Sequence, residues 1–181
     1  TLSLIYRPSL KTKWKAIISN GFRNPNIDDV GKIRENRGYL IVPNPMLLPE
    51  YAYNFELGLT KYLKKEKNYI SVQGFTTLIS RHIGRNNYPI FSDQTTTSNS
   101  TILYNGEELI TLANNNLGNR YMLGTSLDGN IFFTDKISLK GDINIINALK
   151  NEQYGPLPSI SPVFLNLFIN YEKEKWFASL R

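Results

Sequence analysis

The side chains in this sequence that could do acid–base or ligand chemistry are few and scattered. Asp28-Asp29 and Glu107-Glu108 are adjacent pairs, Asp128 stands apart, and His82 is the only histidine in 181 residues. Two carboxyls acting as acid and base must be held at a defined separation across a substrate, and adjacency in sequence does not set one. Asp28-Asp29 reads as a loop-turn pair, with ligand contact as the sharper alternative. Calcium takes about 6–8 oxygen ligands, and no EF-hand spacing occurs here. Serine, histidine and aspartate are all present, but there is no Gly-x-Ser-x-Gly elbow to position a nucleophile. No glycine-rich loop is present to cradle phosphate. With no cysteine, a disulfide framework and a CxxC metal site are both excluded. The expectation is a protein that is not an enzyme, with no resident cofactor and no metal.

Charge and length narrow the class further. The net charge of +6 would mark a nucleic-acid surface only if the basic residues clustered on one element. Here they fall in short turns, at Lys11 and Lys13, Lys61 to Lys67, and Lys173 and Lys175, so no nucleic-acid partner is expected. No apolar run approaches the roughly 20 residues of a membrane helix, and the start does not read as a signal peptide. Thr1 opens directly onto strand-like Leu2 to Tyr6, which suggests a piece of a longer polypeptide. Eleven tyrosines and nine phenylalanines suit strands and aromatic girdles.

The elements that must position these residues are strands, because two-residue alternation dominates. Thr1–Arg7 turns at Pro8-Ser9 into a returning strand from Thr12 to Phe22, with Trp14, Ala16 and Ile18 on one face. Tyr51, Tyr53, Phe55, Leu57 and Leu59 alternate with Ala52, Asn54, Glu56, Gly58 and Thr60. A further strand spans 68–85, with a blurred pattern at Thr76-Thr77. A polar excursion follows, containing a hairpin over 101–111 whose Asn105-Gly106 suits a type I′ turn. Alternation returns at Tyr121–Phe133, Ile137–Ile145, Val163–Tyr171 and Trp176–Leu180, with a proline-rich loop at 148–162. A sandwich strand with its apolar face in a core shows this alternation, and so does a membrane strand with its apolar face in lipid. Short charged turns (8–11, 61–67, 135–136, 172–175) alternate with long loops (23–48, 86–117, 149–162), the asymmetry of outer-membrane barrels. The count is roughly eight strands, against about 22 in a plugged transporter.

Two boxes carry a more specific signal. Phe22-Arg23-Asn24-Pro25 and Asn44-Pro45-Met46-Leu47 flank one loop, and Pro49-Glu50 leads into Asn54, Glu56 and Gly58. The arrangement resembles the barrel of TonB-dependent outer-membrane receptors, most strongly over residues 12–60, and its style is Bacteroidota-like. The family motif falls on Phe22, Arg23, Pro25, Asn44, Pro45, Leu47, Pro49 and Glu50. The resemblance implies an all-β fold: an antiparallel transmembrane β-barrel segment of a larger plugged barrel, with residues 1–181 a partial barrel lacking the plug. It implies active uptake of a scarce ligand (an iron chelate such as a siderophore, haem or another small molecule) across the bacterial outer membrane. The implied partners are outer-membrane lipid and a TonB complex reached through parts outside this chain. Candidate ligand contacts are Asp28, Asp29, Tyr39, His82 and Tyr88. Some receptors with both boxes carry haem on a histidine between them. Residues 26–43 contain none, which counts against haem.

Two other classes fit parts of the pattern. A secreted β-sandwich that binds a ligand or carbohydrate would bury its apolar faces together. A small complete outer-membrane barrel would close on about eight strands. Other tyrosines near strand ends, including Tyr104, Tyr121 and Tyr154, suit interface anchoring. Asn54, Glu56, Lys140, Asp142 and Asn144 are expected to line the lumen.

Overall fold

The computed structural model describes residues 1–63, 67–90, 101–149 and 162–181. Lys64 and Lys65, the polar run 94–100, Tyr154 and most of the proline-rich loop lie outside the described residues. The elements in chain order are β1 (Leu2–Ser9), β2 (Thr12–Arg23), α1 (Ile27–Val30), β3 (Arg34–Asn36), β4 (Tyr39–Ile41), β5 (Glu50–Tyr62), β6 (Tyr69–Ser80) and β7 (Ile83–Asn87). They continue with β8 (Thr101–Tyr104), β9 (Glu107–Asn116), β10 (Arg120–Phe132), β11 (Ile137–Ala148), β12 (Val163–Lys173) and β13 (Trp176–Leu180). The chain divides into two compact units. The first comprises Thr1–Asn20, Tyr53–Leu78 and Arg120–Arg181, and the second Gly21–Ala52 and Ile79–Asn119.

An eight-stranded antiparallel sheet, ordered β1-β2-β5-β6-β10-β11-β12-β13, dominates the first unit. Alternation gives it two chemically opposite faces. Tyr53, Phe55 and Leu57 on β5, Leu123 and Leu127 on β10, and Leu165, Leu167 and Ile169 on β12 are 45–68% exposed. The other face is polar and bonded to itself. Asn54 Nδ2 donates to Glu56 Oε1 (2.7 Å), Gln73 Nε2 donates to Glu56 Oε2 (2.8 Å), and Thr77 Oγ1 donates to Asn54 Oδ1 (2.7 Å). Further along, Asp142 Oδ2 accepts from Asn144 and Asn166, each at 3.0 Å. Asp142 stands opposite Asp128 in register. Like charges so placed repel, and these donors, together with the Tyr69 side chain bonded to Asp128, offset the repulsion.

The short turns of this unit lie side by side at one end. Tyr62 N donates to Lys11 O (2.9 Å), Phe132 N to Asn68 Oδ1 (3.0 Å), and Glu172 N to Lys136 O (2.8 Å). The alternation of short and long connections predicted from sequence is present.

The second unit holds a five-stranded sheet, ordered β3-β4-β9-β7 with β8 also on β9. β4 and β9 run parallel, Leu40 opposite Thr111. Its core is Leu40, Val42, Leu109 and Ala113, with Tyr88, Ile102 and Tyr104 packed against them. The β8–β9 hairpin turns through Asn105 (φ 49°) and Gly106 (φ 85°), the positive-φ pair a type I′ turn needs.

Two sequence expectations change. The strand expected over 68–85 is two strands in different sheets: β6 stops at Ser80, and Arg81 at φ 56° redirects the chain before β7. The long segments read as loops contain α1, β3 and β4 as well as the predicted hairpin, whose second strand β9 runs on to Asn116. The blurred pattern at Thr76-Thr77 has a local cause. Phe75 shares the polar face with Gln73 and Thr77, and a Cβ on Gly124 would strike its ring. Gly124→Val is expected to destabilise the sheet by about 1–3 kcal/mol through overpacking, and a second change, Phe75→Ala, to recover much of it. Urea midpoints of the two folded variants in detergent test this. No recovery would mean that Phe75 is not what Gly124 accommodates.

Candidate functional site

The residues of both sequence boxes lie in or at the margin of the second unit, and most are tied down by hydrogen bonds. Arg23 ends β2, and Pro25 precedes the single turn of α1. Asn26 caps that turn. Its Oδ1 accepts from Asp29 N (2.9 Å) while Asp29 Oδ2 accepts from Asn26 N (3.1 Å), a reciprocal capping box. Asp29 is only 8% exposed. Arg23 Nη2 donates to both of its carboxylate oxygens at 2.7 Å, and Asn114 Nδ2 donates to Oδ1 at 3.0 Å. A buried carboxylate requires such donors, because desolvation otherwise outweighs its attractions. Asp28, its neighbour, is exposed and pairs with Lys32 at 3.0 Å, one helical turn on.

The second box is held by a row of asparagines at the end of β9. Asn44 is 5% exposed. Its Oδ1 accepts from Met46 N (3.1 Å), and its Nδ2 donates to Asn114 O (2.8 Å) and Asn115 Oδ1 (3.1 Å). Asn116 Oδ1 accepts from Leu48 N (2.9 Å), and its Nδ2 donates to the carbonyls of Leu48 and Arg81, both at 2.9 Å. Pro45 and Pro49 have no N–H and cannot extend a strand ladder, so side-chain amides take over the task of satisfying this backbone. Leu47 is buried beside them.

Glu50 closes the arrangement. Its Oε2 accepts from Ile83 N at 2.7 Å and meets His82 Nδ1 at 2.8 Å, the two side chains 17% and 20% exposed. His82 is thus joined to the last residue of the sequence motif. Phe22 and Tyr51 stack obliquely, ring centroids 6.4 Å apart. Tyr88 packs on the core cluster, and its backbone exchanges bonds with Thr111 (3.0 and 2.6 Å). Tyr39 is exposed on β4.

The structure therefore joins Arg23 to Asp29, Asn44 to the asparagine row and Glu50 to His82, and leaves Asp28 and Tyr39 facing solvent. Asn114, Asn115 and Asn116 are the participants that sequence reasoning missed. The available signal was three consecutive amides ending an alternating strand. Among the described residues, no group of three or more histidines, cysteines or carboxylates could hold a metal. The joined residues position backbone.

A family model described as the β-barrel of TonB-dependent receptor-like proteins matches residues 1–181. The chain belongs to the TonB-dependent receptor family. Solved receptors share its fold at low identity. The siderophore receptor PirA of Acinetobacter baumannii is 16% identical with a TM-score of 0.70, over 96% of this chain and 26% of that one. A variant of the ferric enterobactin receptor PfeA of Pseudomonas aeruginosa, in complex with enterobactin, is 14% identical with a TM-score of 0.75, over 96% and 25%. The hemophore receptor HasR of Serratia marcescens, in complex with its hemophore HasA and heme, is 14% identical with a TM-score of 0.68, over 98% and 30%. No match was found among curated proteins. The chain spans about a quarter of the length of the solved receptors PirA and PfeA.

In this receptor segment, Asp29→Ala strips partners from Arg23 and Asn114 and is expected to cost about 1–3 kcal/mol. Hydrogen exchange of the second unit should accelerate by about 5- to 150-fold where that unit opens locally. Asp28→Ala, which removes an exposed pair, should change exchange little. Equal effects from the two variants would refute the central role of Asp29.

Proposed function

We propose that this chain forms part of the barrel wall and extracellular loops of a receptor that takes up a scarce ligand across the bacterial outer membrane. The energy would come from a TonB complex acting through parts of the receptor outside these residues. The observation that carries the reading is the two-faced sheet of the first unit, in a chain of this family. One face is apolar and exposed, and the other is polar and internally hydrogen-bonded. In water such a face is an aggregation liability, whereas in a membrane barrel the apolar face meets lipid and the polar face lines the lumen. A β-sandwich would instead bury the apolar face.

The cargo of structurally similar receptors supports a choice of ligands to test: PirA is a siderophore receptor, PfeA a ferric enterobactin receptor, HasR a hemophore receptor and OprC a copper transporter. An iron chelate is the first ligand to test here. Residues 26–43 lack histidine, and the Nδ1 of the only histidine, His82, is engaged by Glu50. Cells carrying the receptor should accumulate radiolabelled ferric siderophore from a small panel faster than cells lacking it, and the difference should vanish without TonB. Equal accumulation with and without the receptor, for ferric siderophores and for haem, would sink the iron reading.

The wall assignment has its own test. Leu57→Arg places a charge on the apolar face and should cost about 2–4 kcal/mol if that face lies mid-membrane. The folded fraction is read from heat-modifiable electrophoretic mobility after urea titration. An unchanged midpoint would show that Leu57 does not face lipid.

A further inference from the structure

We propose that the apolar face of the first unit seats one anionic phospholipid of the periplasmic leaflet. Its acyl chain would lie in a groove over Gly129 and Gly141, and its phosphate among the lysines of the short turns. The proposal rests on the membrane reading above and adds a ligand site to it.

The groove follows from register. Gly129 and Gly141 are direct cross-strand partners between β10 and β11. Both sit on the apolar side, two residues from Leu127, Ile131, Leu139 and Ile143. Two adjacent positions without side chains leave a trough of about 280 Å³, walled by aliphatic groups that include Ile70, Leu139 and Leu167. The trough is narrow: a Cβ on Gly141 would lie 3.0 Å from Leu167 Cδ1. Its aliphatic lining fits a hydrocarbon chain.

Its depth can be set against a leaflet. Gly141 lies five residues from Lys136 in the β10–β11 turn, and a strand advances about 3.3 Å per residue. That is roughly 16 Å along the strand, and less along the membrane normal because barrel strands tilt by about 35–45°. Half of a hydrocarbon core about 30 Å thick is about 15 Å. The groove therefore opens within a single leaflet, the one bounded by the short turns.

That end of the sheet is basic. The neighbouring turns bring Lys11, Lys61, Lys67, Lys136, Lys173 and Lys175 to it, against Asp135, Glu172 and Glu174 among the described residues. Trp176, 77% exposed, and Phe133 stand at the same end, as interfacial aromatic side chains do. Lysines near a membrane surface attract anionic headgroups. A molecule with an anionic head and a long apolar tail satisfies the turn and the groove together. A soluble anion would use only the first, and a zwitterionic lipid chiefly the second.

The test uses the complete receptor in phosphatidylcholine vesicles, with spin-labelled phosphatidylglycerol or spin-labelled phosphatidylcholine as probe. The labelled phosphatidylglycerol should be motionally restricted at least about threefold more than the labelled phosphatidylcholine, and the preference should shrink in high salt. The surface variant K136Q/K173Q/K175Q should bring the ratio close to one, and Leu139→Phe, which fills the groove without touching a glycine, should lower it with the lysines intact. Equal restriction of both probes by the native receptor overturns the site and leaves the barrel reading standing. A preference unaffected by both variants likewise overturns the site. Absence of any restricted component with either probe overturns the membrane reading and the site together.

Discussion

All eight buried apolar side chains among the described residues, from Leu40 to Leu117, belong to the second unit, so the long sheet of the first has no hydrophobic core among them. Much else follows from that constraint. Burial of apolar surface is the main favourable term in folding a water-soluble domain, and here the larger sheet turns its apolar residues outward. Its polar face must then satisfy itself, which is what Asn54, Glu56, Gln73 and Thr77 do as a connected set. The same logic explains why Asp142 collects two asparagine amides while facing Asp128: a lumen wall tolerates charge where donors are built in beside it.

The second unit depends on different physics. Its cluster of Leu40, Val42, Leu109 and Ala113 is small, too small to fix by packing alone a segment interrupted by Pro25, Pro45 and Pro49. Prolines remove the backbone donors that a strand ladder would use, and the structure replaces the ladder with side-chain amides. Asn44, Asn114, Asn115 and Asn116 bond to backbone and to one another within 2.8–3.2 Å. Asp29 adds a charged centre where Arg23, the α1 cap and β9 meet. The boxes visible in the sequence are thus the two ends of a polar truss. Their residue types answer to backbone geometry, whereas their neighbours Asp28 and Tyr39 are exposed.

The sheet was legible in the sequence because its signal is local. Period-two alternation at Tyr51–Thr60 and Ile137–Ile145 names the strand and its faces without reference to any partner, and Asn105-Gly106 names its own turn. The missed features are those whose cause is distant. Nothing near Asn114–Asn116 shows that a segment some 70 residues earlier will bond to it, with Asn44 donating to Asn114 and Asn115 and Leu48 accepting from Asn116. The parallel pairing of β4 with β9 joins residues equally far apart, and a three-residue strand such as β4 carries too little pattern to announce itself. The break at Arg81 depends on a single left-handed residue of a type that seldom adopts that conformation. His82 illustrates the same limit, since a lone histidine in sequence gives no sign of a carboxylate 32 positions away.

The glycines of the sheet show how strongly parity governs meaning in such a wall. Gly124 lies on the polar side, and its missing side chain admits the ring of Phe75, an aromatic residue where alternation calls for a polar one. Gly129, five residues on along the same strand, lies on the opposite side, and with Gly141 opens a trough in the apolar surface. An odd separation along one strand thus converts the same residue from an accommodation inside the wall to a recess outside it. A one-residue slip in register would exchange the two faces, setting Asp128 and Asp142 among aliphatic side chains and Leu127 and Ile143 among the amides. The resulting penalty on every strand holds the register in place without a packed core, and it makes the position of each glycine a specified feature of the surface.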